Sequence, residues 1–342
     1  MTRAQARTRR STRRRSSPAE QDRPTVGTRR GEVPAGGGPG FGGVGSIRHP
    51  GTTATGERVR AALECLKLMA LRQRWAAVGD TLVVDRVCRG SGEALSVLVG
   101  RHQAAVCGYL STCLMDHATV ERATEETFRR VLEAAEREDA LAINRIRLLA
   151  TARTVAVQAW NADPGADAAT PEFLQWVASG GAWPLATPAA LYDAFRCLPV
   201  RWQVALWHIA VEEDDPALIG DVLGVSSTRV RSLGHKARHS LRDFYLAAYE
   251  RAVIDRPACL SYAREQVVLA TRAPGTTMTE HPPNCRPCGR VERNLTDIDA
   301  GLRRQLPGML LGWWNDGRYR QMKALALRDG DPRPVARRIR DT

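Results

Sequence analysis

Apolar residues recur at three- and four-residue spacing in two long segments, from Val59 to about Trp160 and from about Ala190 to Ile254. This spacing lines apolar side chains along one face of a helix. Between the two segments, residues 161–188 carry Asp-Pro-Gly and Gly-Gly turn signals, which are typical of a linker, here with one short helix. No segment shows convincing strand alternation, so the pattern predicts an all-α fold.

The sharpest local signal is the segment PALIGDVLGVSSTRVRSLGHKARHSLRD, residues 216–243. Its first helix would end at Gly224, which suits the left-handed position of a helix C-terminus. Ser226 is a good N-cap for the next helix. Gly220 lies where a larger side chain would obstruct the approach of the two helices. Upstream, Ala194–Ala210 is predicted to form one supporting amphipathic helix.

The second helix of this segment carries basic side chains on its polar faces and no acidic residue before Asp243. A helix-turn-helix of this kind seats its second helix in the major groove of DNA. Residues near the N-terminus of that helix read base edges, and later ones hold phosphates. The alternative is an αα-hairpin with a solvated basic face.

The sequence LP-x-RWQ-x-x-LWH (residues 198–208), followed by IGDVLGVSSTRVRSLGHKARHSLR, resembles region 4 of bacterial extracytoplasmic-function sigma factors of the sigma-70 family. In that family this module reads the promoter −35 element. The resemblance implies DNA contacts at the groove and, further along the helix, near the phosphate backbone. These residues are Ser227, Thr228, Arg229, Arg231, His235, Lys236 and Arg238.

Three earlier segments resemble the region 2 helices of the same family, which hold the polymerase clamp and open the −10 element. They are GDTLVVDRVCRGSGEALSVLVGRHQAAVCGYL, ATVERATEETFRRVLEA and INRIRLLATARTVAVQAW. The resemblance implies polymerase contacts at Glu125, Glu126, Thr127 and Phe128. It implies −10 contacts at Arg145, Arg147, Arg153 and Thr154.

The sequence departs from the region 2 pattern in three respects. Arg122-Ala123 replaces the usual Asp-Leu, Glu125 replaces Gln, and Leu132 replaces an aromatic residue. Taken alone, this block also fits a generic helix bundle.

A cysteine-bearing segment follows the second helical block. His281, Cys285 and Cys288 have the spacing H-x3-C-x2-C. Zinc prefers tetrahedral nitrogen and thiolate ligands, and a C-x2-C pair can bind one ion from a single turn. The pattern resembles the zinc-binding anti-sigma domain, which implies Cys259 as the fourth ligand. The alternatives are a vestigial metal site with only three ligands and a redox-active pair of thiols.

The charge of the chain is concentrated at its ends. The 342 residues have a formal net charge of +13, and residues 1–60 hold 13 arginines against four acidic residues. Residues 318–342 hold eight basic residues against three acidic ones, so the middle is close to neutral. Basic ends suit an anionic partner such as nucleic acid, and solvated tails are the alternative. The Arg- and Gly-rich residues 1–56 should be disordered.

Other classes of protein find little support in the sequence. No apolar run approaches the roughly 20 residues of a membrane-spanning helix. The N-terminus has no apolar segment typical of a secretory signal, so the cysteines are expected as thiols or metal ligands in the cytoplasm. We find no nucleophile–base pair, phosphate loop or paired carboxylates, and do not expect an enzyme. The acidic run Glu212–Asp215 is explained by a helix N-terminus beginning near Pro216.

The predicted organisation is a disordered tail (1–56), a region 2-like domain (57–160), a linker (161–188), a region 4-like domain (189–252), a zinc module (253–312) and a basic tail (313–342). These features predict a cytoplasmic sigma factor that binds core RNA polymerase, promoter DNA and Zn²⁺, with no membrane partner. The zinc module could regulate it, and a separate anti-sigma factor is a further candidate partner. The rival functions are a DNA-binding regulator that does not engage polymerase and a protein that sequesters another sigma factor.

Overall fold

Helices form the regular structure of the residues that the computed structural model describes, which are 63, 66, 67, 69–71, 73–137, 143–162, 168–181, 190–269, 285–329 and 331–341. No β-strand occurs in these ranges, which confirms the all-α prediction. The predicted disordered segment 1–56 and the predicted ligand His281 lie outside the described residues. None of the described helices combines the length and apolar character needed to cross a bilayer.

Fourteen α-helices and one π-helix have defined bounds in the described part of the chain. In chain order they are α1 (Asp80–Cys88), α2 (Gly92–Cys113), α3 (His117–Arg137), α4 (Arg145–Ala162), α5 (Pro171–Ala178), α6 (Ala190–Arg196), α7 (Val200–Leu206), a π-helix (Trp207–Glu212), α8 (Pro216–Leu223), α9 (Ser227–Ala252), α10 (Pro257–Leu269), α11 (Arg286–Thr296), α12 (Ile298–Leu311), α13 (Asp316–Asp329) and α14 (Pro332–Arg340).

Helix α2 is the centre of the first helical block. Ser91 caps its N-terminus by accepting a hydrogen bond from the Ala94 amide at 3.2 Å. Its sequence is rich in Ala, Val, Leu and Gly, and buried residues occur on most of its circumference. Helices α1, α3, α4, α13 and α14 pack around it. The C-terminal basic segment is therefore helical and joined to the first block.

The packing of α13 on α2 depends on a glycine. A Cβ added at Gly108 would lie 2.7 Å from the backbone nitrogen of Lys323, closer than such atoms can approach. The two helix backbones therefore meet at a position where only glycine fits without displacement.

An aromatic cluster joins the linker helix α5 to the beginning of the C-terminal segment. Trp313 packs against Phe173 and Trp176, with ring centroids 5.6 and 6.0 Å apart. The Trp313 indole donates to the Thr112 hydroxyl at 3.1 Å, and its carbonyl accepts from the Tyr109 hydroxyl at 3.1 Å. The indole nitrogen of Trp313 and the hydroxyl of Tyr109 thus both have hydrogen-bond partners.

The helix-turn-helix has the local geometry that its sequence predicts. Gly224 ends α8 in the left-handed conformation, with φ 64° and ψ 44°. Ser226 caps α9 by accepting from the Arg229 amide at 3.4 Å. A Cβ at Gly220 would lie 2.6 Å from the Val225 carbonyl oxygen, so a side chain there would obstruct the turn.

The supporting helix predicted over residues 194–210 is wrong as a single element. The structure has α6 and α7 instead, separated at Pro199, and a π-helix follows α7. Pro199 has extended geometry, with φ −53° and ψ 141°. Proline lacks an amide hydrogen and disfavours helical geometry in the preceding residue, which accounts for the break.

The predicted modules meet directly, because Glu57–Thr342 forms one compact unit. The Ala77 amide donates to the Asp221 carboxylate at 3.0 Å, which joins the chain before α1 to α8. At the same junction, a Cβ on Gly224 would lie 2.8 Å from the Gly79 nitrogen. The turn of the helix-turn-helix therefore lies against the first helical block.

We predict that Gly108→Ala lowers the free energy of unfolding by about 1–3 kcal/mol, because the added methyl overpacks the α2–α13 contact. The matched control is Gly100→Ala in the same helix, whose Cβ would meet Pro332 at an ordinary 3.5 Å. That variant should be neutral or slightly stabilising, since alanine favours helix by about 0.5–1 kcal/mol. Urea denaturation measures both, and equal stabilities would contradict the close approach.

Candidate functional site

The first turns of α9 carry an exposed basic surface. Val230, Ala237 and Leu241 are buried and hold the helix on the core. The residues that face solvent are Ser227, Thr228, Arg229, Arg231, His235 and Lys236, which we call the basic face of α9. The structure thus brings six of the seven predicted region 4-like contacts together on one accessible surface.

The seventh predicted contact, Arg238, is engaged by another part of the chain. Its guanidinium donates two hydrogen bonds to the carboxylate of Asp299 in α12, at 2.8 and 2.6 Å. This hydrogen-bonded pairing raises the pKa of Arg238 above its usual value. The carboxylate occupies the donors that a DNA phosphate would need, so Arg238 is not available in this structure.

Two of the predicted −10 contacts, Arg145 and Arg153, are engaged by other parts of the protein. Arg145 is fully buried and cannot reach DNA, so the structure contradicts this assignment. Arg153 is partly buried, and its Nη1 donates to the Leu311 carbonyl at 2.7 Å. Arg147 is partly buried, and Thr154 is exposed and donates to the Ala150 carbonyl at 3.2 Å. Of the four predicted −10 contacts, one is therefore exposed, two are partly buried and one is fully buried.

The four predicted polymerase contacts on α3 fall into two buried residues and two glutamates that are bound by arginines. Thr127 and Phe128 are fully buried, and the Thr127 hydroxyl donates to the Ala123 carbonyl within the helix. They cannot serve as surface contacts, because the apolar face of α3 packs on the core. Glu126 accepts from Arg129 at 2.9 Å, and Glu125 is bound by a residue of α14.

A buried charge network joins these regions, and the sequence did not reveal it. Its members are Asp80, Arg101, His102, Arg145, His208, Glu212, Asp214 and Lys323.

Arg145 is at the centre of this network. It donates to the Glu212 carboxylate at 2.6 Å, to Nδ1 of His102 at 2.9 Å and to the Arg101 carbonyl at 3.0 Å. Each of these bonds leads from α4 to another element. A buried charge is tolerated only when it is paired and hydrogen-bonded, and Arg145 meets this condition.

Glu212 receives further donors from two parts of the chain. The Trp207 indole donates to it at 2.7 Å, and the Lys323 ammonium of α13 also donates to it. Lys323 donates in addition to Asp214 at 2.6 Å. His208, Glu212 and Asp214 lie close enough together to suggest a cation site, but the lysine ammonium already lies between the carboxylates. These acidic side chains thus have a cation partner within the protein.

The protonation of His102 follows from its neighbours. Its Nδ1 accepts from Arg145, which is always protonated, so this nitrogen carries no hydrogen. Its Nε2 then donates to Asp80 at 2.6 Å. Burial lowers the pKa of His102 despite the opposing carboxylate. His102 is therefore a neutral link between Arg145 and the Asp80–Arg101 pair.

The acidic run Glu212–Asp215 has two roles in the structure, although the sequence suggested one. Asp215 caps α8 by accepting from the Ala217 amide at 2.7 Å, as expected of an acid at a helix start. Glu212 and Asp214 turn inward, where the positive charges of Arg145 and Lys323 hold their pKa values down against the effect of burial. The sequence does carry one sign of this network, because Lys323 lies one turn after Tyr319 on the apolar face of α13.

Three of the four predicted metal ligands lie together. Cys259 of α10, Cys285 and Cys288 have sulfur atoms within 4.8 Å of one another, and the Cys259–Cys285 distance is 3.8 Å. Two thiolates on a tetrahedral zinc, each at roughly 2.3 Å, would lie about 3.8 Å apart. The donor chemistry and the spacing therefore fit a zinc ion. His281, the fourth candidate, lies outside the described residues.

The cysteine cluster contacts the long helix α9. The Tyr249 hydroxyl is 2.8 Å from the Cys288 sulfur, and the Tyr245 hydroxyl accepts from Asn294 in α11 at 2.8 Å. Burial raises the pKa of Cys288 to about 12. For Cys285, hydrogen bonds from the Cys288 amide and the neighbouring thiols overcome burial and lower the pKa. A metal ion would stabilise all three as thiolates, with Tyr249 donating to Cys288.

Comparisons with protein-family models, with curated proteins and with solved structures find no match for this chain. Function is therefore inferred from the residues and their geometry.

We predict that Glu212→Gln lowers the free energy of unfolding by about 3–5 kcal/mol. The change removes the negative charge that the buried cations Arg145 and Lys323 share. The control is Glu213→Gln at the next position, whose carboxylate binds the partly exposed Arg303 and Arg320. That change should cost less than about 1 kcal/mol. Denaturation followed by circular dichroism measures both, and similar losses would show that the buried charge network does not dominate.

We predict that the reduced protein binds Co²⁺ with a thiolate charge-transfer absorption, and that Tyr249→Phe weakens metal binding about tenfold. Hydrogen bonds to metal ligands typically contribute 10- to 100-fold in affinity. Tyr245→Phe is the control, because it removes a hydroxyl from the same helix that bonds Asn294 instead of a thiol. Absence of the absorption would refute the metal site, and equal affinities of the two variants would refute the role of Tyr249.

Proposed function

We propose that this chain is a sigma factor of the extracytoplasmic-function type, which binds core RNA polymerase and directs it to promoters. The observation that carries the proposal is the basic face of α9. Six side chains that suit a major groove are exposed at the start of the second helix of a helix-turn-helix. A structural αα-hairpin does not require Arg229, Arg231 and Lys236 to be exposed together with no acidic residue beside them in the helix.

Self-restraint by the C-terminal segment, residues 253–342, belongs to the same proposal. Three residues for which the resemblance implies DNA or polymerase contacts are bound by residues that follow α9. Asp299 binds Arg238, the Leu311 carbonyl binds Arg153, and α14 binds Glu125. These contacts support a form of the protein in which part of the proposed functional surface is covered.

The proposed zinc site gives this restraint a means of control. The metal would be held by Cys259, Cys285 and Cys288, and it would stabilise the fold of α10 and α11. Tyr245 and Tyr249 connect those helices to α9, which carries the basic face at its other end. Loss of the metal would loosen the segment that leads into α12 and its Asp299.

A second candidate function is a DNA-binding regulator that does not engage polymerase. The burial of Thr127 and Phe128 favours it, because two of the four predicted polymerase contacts lie in the core. Transcription with purified core polymerase separates the two functions. A sigma factor supports promoter-dependent initiation, whereas a regulator binds DNA without supporting initiation by core polymerase.

We predict that Arg229→Ala and Arg231→Ala each weaken binding to a duplex selected from a random pool by about 1–3 kcal/mol. Both side chains lie on the basic face of α9, where they can reach base edges. Arg251→Ala is the control, because it removes the same charge from the last turn of the same helix. Fluorescence anisotropy at several salt concentrations is the measurement.

If Arg229 and Arg231 only hold phosphates, their replacement should weaken binding to selected and random DNA equally. A full-length protein without salt-dependent DNA binding would refute the assignment of the helix-turn-helix. In the transcription assay, Asp299→Asn should increase initiation by releasing Arg238, and unchanged initiation would refute restraint at this contact.

A further inference from the structure

The last helix, α14, lies on the same helix that carries the predicted polymerase contacts. Asp331 caps it by accepting from the Arg333 amide at 3.0 Å. Val335 and Ala336 are buried against the first helical block, where α14 packs on α2 and α3. Its docked face is therefore small and apolar, and its remaining residues are mostly arginines.

Arg338 fixes the register of α14 on α3. It forms a hydrogen-bonded ion pair with Glu125 and lies 3.9 Å from Glu121, one turn earlier. The pair is at the surface, since 45% of the Arg338 side chain and 23% of the Glu125 side chain are exposed. Opposite charges thus join the tail to the acidic side of α3.

Helices α13 and α14 differ in how firmly they are attached. Helix α13 contributes Lys323 to the buried charge network and approaches the backbone of α2 at Gly108. Helix α14 has nine residues, and a helix of that length is marginal without a partner surface. Surface ion pairs contribute little and are screened by salt. Helix α14 is therefore held less firmly than α13.

We infer that α14 is an intramolecular ligand of the α3 surface around Glu121 and Glu125, and that core RNA polymerase must displace it to bind there. The inference rests on the proposed function. The connection between α13 and α14 is short, so the local concentration of α14 at its site is in the mM range for such tethers. Weak docking is thus well populated, and a partner binds against this competition.

The test compares Arg338→Glu with Arg337→Glu in the full-length chain. Arg338→Glu places a negative charge against Glu121 and Glu125. Arg337→Glu makes the same change in charge one position earlier, where the side chain lines a cavity of about 190 Å³ with Gly92 and Ser96 of α2. Two quantities are measured: amide hydrogen exchange across residues 332–340, and the Kd for purified core polymerase.

Arg338→Glu should speed exchange in α14 and tighten polymerase binding about threefold to tenfold, the range set by losing and reversing a surface ion pair. Truncation after Asp329, which keeps α13, should tighten binding at least as much. Arg337→Glu should change both quantities clearly less than Arg338→Glu does, because it reverses a charge that is not paired with Glu121 or Glu125 in the structure.

Faster exchange without tighter binding would overturn the inference, because α14 would then leave without exposing a polymerase site. Equal tightening by Arg337→Glu would also overturn it, since a general charge effect would explain the result. If the truncated chain shows no binding to core polymerase, the proposed sigma function fails, and the inference fails with it.

Discussion

The arrangement of the helices depends on the pairing of Arg145 with Glu212. This pair is buried, and it joins the first helical block to the helix-turn-helix block across 67 positions of sequence. Lys323 reaches the same carboxylate from the C-terminal segment. Separating any of these segments would leave an unpaired charge in the interior, which costs several kcal/mol. The buried charge network therefore explains why modules that look independent in sequence form one unit.

The parts of the fold that were predictable from sequence follow local rules. The helix-turn-helix was predicted because Gly224 and Ser226 act through the backbone of their immediate neighbours. Cys285 and Cys288 are grouped by their spacing, whereas Cys259 joins them only through the resemblance to the zinc-binding anti-sigma domain. The buried charge network was not predictable in this way, since its partners lie far apart in sequence. Pro199 is a local signal for a helix break. The apolar pattern around it instead favours one continuous helix, which the structure does not have.

The predictions for the candidate site likewise divide into those that depend on local sequence and those that depend on distant parts of the chain. The basic face of α9 was predictable because its polar residues remain on the surface whatever packs beneath the helix. The resemblance to region 2 implied roles for Arg145 and Phe128, but it could not show which sides of α3 and α4 the rest of this chain covers. Arg145 is enclosed by partners in α2 and the π-helix, whereas Arg153 and Glu125 are bound by residues of α12 and α14. A motif match therefore predicts a helix more reliably than it predicts which side chains of that helix are exposed.

The contacts in this unit differ in strength according to their burial. Those that hold the helices together are buried ion pairs and hydrogen bonds, as at Arg145. Those that cover the proposed functional residues are partly exposed pairs, as between Arg238 and Asp299 or between Arg338 and Glu125. Water and salt compete with the second class far more than with the first. A binding partner can therefore replace the covering contacts while the core of the protein remains folded.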